Sequence, residues 1–131
     1  ENDTFKDLFE TGLQKENEVP FKKRKLINQG VKKVNLLKTN TAAAVTINEI
    51  TTSAKRIKEI IAAHNPVLES MEGAALHYVG GLTKTPFIQI RAISNYVGER
   101  NKAKWKLKES IEQLEAYVIT YLAALENSLN K

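Results

Sequence analysis

The chain has 131 residues, is 42% apolar and carries a net charge of +5. That length suits one domain over residues 1–131, and no stretch approaches the ~20 apolar residues of a membrane span, so no membrane partner is expected. The absence of cysteine excludes disulfides, thiolate metal sites and a cysteine nucleophile; with no signal peptide visible, it fits a cytoplasmic location.

In chain order, Thr4 with Asp7 three residues later makes a capping-box pattern. Phe5, Leu8, Phe9 and Leu13 then recur at helical spacing, and Gly12 is placed to end a short helix. Residues 15–40 are polar, are broken by Pro20 and Gly30, and predict a long loop with one short strand near 25–28. The basic residues Lys22, Lys23, Arg24, Lys25, Lys32 and Lys33 invite a nucleic-acid reading through counterion release. That patch holds no Tyr or Trp to stack on bases, and Asp7, Glu10, Glu16 and Glu18 lie just upstream. A solvated loop is therefore expected, with no nucleic-acid partner.

Thr41 to Ile50 is small, β-branched and apolar, and predicts a central strand. Thr51, Thr52 and Ser53 offer a helix cap. Ala54, Ile57, Ile60 and Ile61 form the stripe of the following helix, and Asn65-Pro66 stops it. Residues 67–70 predict a short strand. Met71, Ala74, Ala75, Tyr78, Val79 and Leu82 repeat at three- and four-residue steps, which predicts a helix from Gly73 to about Leu82 that Gly80-Gly81 weakens near its end. Residues 87–93 carry the clearest strand pattern. A strand–helix–strand order with this crossover implies parallel pairing and a right-handed connection. A last helix over about 102–127 carries Trp105, Ile111, Leu114, Val118, Leu122, Leu125 and Leu129 as one stripe for packing across the sheet. The class is α/β. Roughly three good strands are visible where a sheet usually has about four to six, so strands preceding Glu1 are expected to be missing.

Candidate chemistry gathers at the ends of the two strands around Gly73. Ligands of parallel α/β sheets bind outside the carboxyl ends of strands, which would set Glu72 and Asn95 side by side at one rim. Glu72 sits at a helix N-terminus, where the macrodipole favours an ionised carboxylate that can accept from two sugar hydroxyls; the plainer alternative is a helix-capping glutamate. The Asn95 amide offers both a donor and an acceptor to a purine edge, or else simply forms a turn. Arg91 lies in an apolar run and calls for a partner, either Glu72, Glu69 or an anionic ligand. Ser94 stands beside Asn95 at the rim. His64 and His77 lack metal-ligand spacing, and no phosphate loop, dinucleotide fingerprint or nucleophile elbow is present; no metal or cofactor is expected.

The segments ESMEGAALHYV at 69–79 and PFIQIRAISNYVGERNKAKW at 86–105, with the helix that follows, resemble futalosine hydrolase. That family is a branch of the methylthioadenosine/S-adenosylhomocysteine nucleosidases within the purine nucleoside phosphorylase-like fold. Weaker similarity covers TFKDLFETGL at 4–13 and VTINEITTSAKRI at 45–57. The resemblance implies a three-layer α/β/α architecture with a central mixed sheet, of which this chain looks like the C-terminal portion. It also implies hydrolysis of an N-glycosidic bond to release hypoxanthine, in menaquinone biosynthesis, by an enzyme that works as a homodimer or larger homo-oligomer on a small nucleoside.

Carried over by position, Glu72 would bind the ribose hydroxyls and Met71 would pack on the sugar. Asn95 would stand where adenosine-cleaving relatives carry an aspartate that protonates or hydrogen-bonds the purine N7. Thr52, Ser53 and Arg56 would line the base pocket, with Ser94 and Arg91 near the rim. The glutamate that activates water in relatives has no counterpart, so little turnover is expected from this chain alone. The alternatives are a methylthioadenosine/S-adenosylhomocysteine-type nucleosidase and a catalytically incomplete nucleoside-binding module.

Overall fold

A computed structural model describes residues 6–130. It is a mixed α/β arrangement whose described residues hold two small sheets and four α-helices. In chain order these are β1 (Phe21–Lys22), β2 (Lys25–Leu26), α1 (Val31–Val34), β3 (Ala44–Thr46), α2 (Ala54–His64), β4 (Leu68–Ser70), α3 (Gly73–Thr83) and α4 (Leu107–Leu129).

The helix expected at the start is replaced by turns; Thr4 and Phe5 lie outside the described residues. The capping box forms three residues later than its first match. Asp7 Oδ1 accepts from the N–H groups of Phe9 and Glu10 at 2.9 and 2.7 Å, and Glu10 Oε2 accepts from the Asp7 N–H at 3.0 Å. Gly12, with φ +75°, then turns the chain away. A cap at Asp7 and a left-handed residue at 12 leave too few positions for a helix to propagate.

The strand expected near 25–28 exists as β2, and its partner is β1. They pair antiparallel through a two-residue turn, Lys23 and Arg24, with φ of 50° and 60°. Positive φ at both positions marks the turn type whose twist matches a hairpin. Arg24 is held there by Asp7 Oδ2 at 2.9 Å and Glu16 Oε1 at 2.6 Å, over the Phe9 ring. The upstream acids thus answer part of the basic run. Phe21 meets Phe9 edge to face with centroids 5.1 Å apart and lies tilted against Tyr78 at 5.8 Å, which docks the hairpin on α3.

The sheet that matters for the site is β3–β4, joined through α2. Its strands are parallel, with Ala44, Val45 and Thr46 opposite Leu68, Glu69 and Ser70. The predicted 41–50 strand is trimmed to three residues. Ile47, at its end, is the only buried apolar side chain among the described residues. Ser53 caps α2 by accepting from the Arg56 N–H at 3.1 Å, and Asn65 closes it in the left-handed conformation at φ 44°.

The glycines of α3 permit close approach rather than merely weakening the helix. A Cβ at Gly80 would overlap the Phe87 ring, and one at Gly81 would lie 2.6 Å from Pro20 Cβ. The main correction concerns residues 87–93, which form no strand. They do run back along α3, since Phe87 lies against Gly80 and His77 while Gln89 and Arg91 reach Gly73. A hollow separates residues 89–93 from β4, and no ladder forms between them. The segment is pinned at its ends instead. Asn28 Nδ2 donates to the Phe87 carbonyl at 2.8 Å, and Ser110 Oγ donates to the Ile93 carbonyl at 2.8 Å. Parallel pairing therefore occurs one unit earlier, between β3 and β4. The last helix starts at Leu107, after a single 3-10 turn over Lys102–Lys104.

Candidate functional site

Glu72 is the N-cap residue of α3, and its side chain makes no capping hydrogen bond. It is exposed, and its carboxylate contacts no donor among the described residues. Met71 beside it is 47% exposed. The end of the 87–93 segment places Asn95 differently. Its Oδ1 accepts from Ser94 Oγ at 2.7 Å and its Nδ2 donates to the Tyr96 carbonyl at 3.0 Å. The amide is engaged on both sides by its own chain neighbours, as in a turn.

Arg91 pairs with neither Glu72 nor Glu69. Its Nε donates to Gln89 Oε1 at 3.2 Å, a contact across one face of an extended segment, where side chains alternate with a period of two residues. Glu69 turns elsewhere and accepts from the Thr51 N–H at 3.3 Å. The three residues expected in a base pocket lie around the start of α2. Thr52 is exposed, Ser53 is used as the cap, and Arg56 Nη1 lies 3.7 Å from Glu49 Oε2.

A hollow of about 450 Å³ opens between β4 and residues 89–93, bounded by Leu68, Glu69, Gln89, Ile90, Arg91, Ala92, Ile93 and Leu114. Arg91 is the one predicted site residue on its wall; Glu72, Asn95, Met71, Ser94, Thr52, Ser53 and Arg56 are not. A second, apolar hollow of about 290 Å³ lies between the hairpin and α3, lined by Leu8, Phe21, Leu26, Ala74, Ala75, Tyr78 and Val79. Neither hollow contains both Glu72 and Asn95.

The electrostatics near the larger hollow are set by Arg91. Burial pushes the His77 imidazole below its ordinary pKa, and the Arg91 charge lowers it further. The sequence did not single out Gln89, and it marked Thr51 only as one of three candidate caps for α2. The period-two spacing of Gln89 from Arg91 is a signal that could have found the first. No sequence signal marks the burial of Thr51, which is complete and comes from tertiary packing. Among the described residues there is no group of three or more His, Asp or Glu side chains that could hold a metal, and no helix long and apolar enough to cross a membrane. The chain matches no protein-family model, no curated protein and no solved structure.

Proposed function

We infer that the chain belongs to a nucleosidase that hydrolyses the N-glycosidic bond of futalosine and releases hypoxanthine. The observation that carries this is the pairing of Met71-Glu72-Gly73-Ala74 with Arg91-Ala92-Ile93-Ser94-Asn95 in one strand–helix–extended unit. The three-layer α/β/α architecture and the homo-oligomeric state belong to the same reading. What supports it structurally is that α3 returns the chain so that residues 89–93 lie across a hollow from β4, with Glu72 at an open helix start. Cleavage passes through an oxocarbenium-like state. An ionised Glu72 under the ribose hydroxyls would orient the sugar and stabilise developing positive charge. Asn95 would face the six-carbonyl of hypoxanthine with its amide, after exchanging its bonds to Ser94 and Tyr96 for the base.

The test is chromatographic detection of hypoxanthine from futalosine and inosine. Release that falls by roughly two orders of magnitude or more in Glu72→Gln supports the assignment, since aligned electrostatic contacts are worth about that much. Asn95→Asp is expected to shift preference toward adenine nucleosides. Undiminished release in Glu72→Gln removes that residue from the mechanism. If neither hydrolysis nor calorimetric binding of hypoxanthine occurs, the reading fails. A catalytically incomplete nucleoside-binding module is favoured by one observation, the position of Glu72 and Asn95 outside both hollows, and is recognised by binding without release.

A further inference from the structure

We propose that the hollow between β4 and residues 89–93 is a docking slot for an extended polypeptide strand supplied by another protein. The argument starts from backbone hydrogen bonds. In the β3–β4 ladder the Leu68 N–H donates to the Ala43 carbonyl, and the Ser70 carbonyl accepts from the Ile47 N–H. In a parallel ladder these groups alternate along the strand, so the N–H and C=O of Glu69 point away from β3, along the edge that bounds the hollow. Across the hollow, the N–H and C=O groups of residues 88–92 have no partner among the described residues, because the segment is held only at Phe87 and Ile93. The N–H and C=O of Glu69, and the alternate N–H and C=O groups of residues 88–92 that point the same way, are therefore unmatched at the borders of one cavity of about 450 Å³. Unpaired edges are templates for strand addition, and a bridging strand is the ligand that answers both edges at once.

The walls state the side chains this strand should carry. Gln89 and Arg91 project toward Gly73 on the α3 side, while Leu114 of α4 closes the other side with Ile90. One face of the strand is therefore apolar and the other polar. Arg91 has no carboxylate partner among the described residues and bonds only Gln89, and the chain is net positive by five charges. An acidic residue on the polar face complements both.

The inference rests on backbone geometry and is independent of the nucleosidase reading; hypoxanthine release does not bear on it. The probe is a fluorescein-labelled seven-residue peptide of alternating valine and threonine with a central glutamate, added to the full chain and followed by anisotropy. Saturable binding is expected. N-methylating one alternate set of peptide amides blocks pairing with β4, and the other set blocks residues 88–92. Each modification should weaken binding at least about tenfold, with the protein itself unaltered. Hydrogen exchange at the Glu69 amide should be fast in the free chain and slow with the peptide. Absence of binding, or loss with only one methylated set, overturns the bridging strand. Exchange already slow in the free chain also overturns it. Slowness at every concentration means that residues 87–93 close onto β4; slowness that grows with concentration means that a second copy fills the slot.

Discussion

Thr51 is fully enclosed, yet its Oγ1 has no hydrogen-bond partner among the described residues. Its N–H is satisfied by Glu69, so the hydroxyl alone is stranded. A buried hydroxyl without a partner costs about 1–3 kcal/mol, whereas an apolar group of the same shape costs little. Thr51→Val is accordingly expected to raise stability by ~1 kcal/mol in urea denaturation; a comparable loss would reveal an acceptor for the hydroxyl. His77 makes the second prediction at this scale. Its folded-state pKa is depressed by burial first and by Arg91 second. Protonation then favours the unfolded chain, so the contribution to stability is present above the ordinary histidine pKa of about 6.5 and is lost as pH falls through the lower folded value. Arg91→Gln should raise the His77 pKa toward, but not to, the ordinary value, because burial remains. NMR titration of the imidazole reads this directly, and an unchanged midpoint would remove Arg91 as a cause.

Among the elements, α3 holds the clearest trade between local preference and packing. Alanine is the better helix former by about 1 kcal/mol, which alone predicts a gain for Gly80→Ala. The added methyl would meet the Phe87 ring, and overpacking of that kind costs about 1–3 kcal/mol. A net loss of roughly 1 kcal/mol is expected by denaturant titration, reversed when Phe87→Leu is added; a stabilised single variant would place Phe87 elsewhere. The same element shows what was legible in the residues. With its neighbour α2 it does so at three boundaries, the Ser53 cap, the Asn65 stop and the Gly73 start, which all stand as read; the first two act through neighbours within four positions, whereas the α3 start is also held by Thr46, whose Oγ1 accepts from the Ala74 N–H at 2.9 Å. Residues 87–93 had the apolar, β-branched pattern of a strand, but a strand is defined by its partner. Neither Asn28 nor Ser110, which hold that segment, is near it in sequence.

For the whole molecule, the accessible surface is 10566 Å² for a mass of 14.7 kDa. A folded monomer of this mass exposes roughly 6,900 Å² and its unfolded chain roughly 21,300 Å². The chain thus buries about half of its unfolded surface, where about two thirds is usual for this size. Because the urea m-value follows the area exposed on unfolding, it should fall about a quarter below that of compact domains of equal length. An m-value matching compact domains would mean that more surface is covered in solution, and the slot beside β4 is where the strand peptide should restore part of it.

The boundaries of α2, the start of α3, the short strand near residue 25 and the motif pair around Glu72 and Asn95 were legible in the residues themselves, because caps, stops and left-handed positions are short-range effects. The reach of the sheet, the withdrawal of residues 87–93 from it, the separation of Glu72 and Asn95 from both hollows and the enclosure of Thr51 were decided only in three dimensions. They depend on which distant groups take up each backbone N–H and C=O, and that competition leaves no periodic trace in the chain.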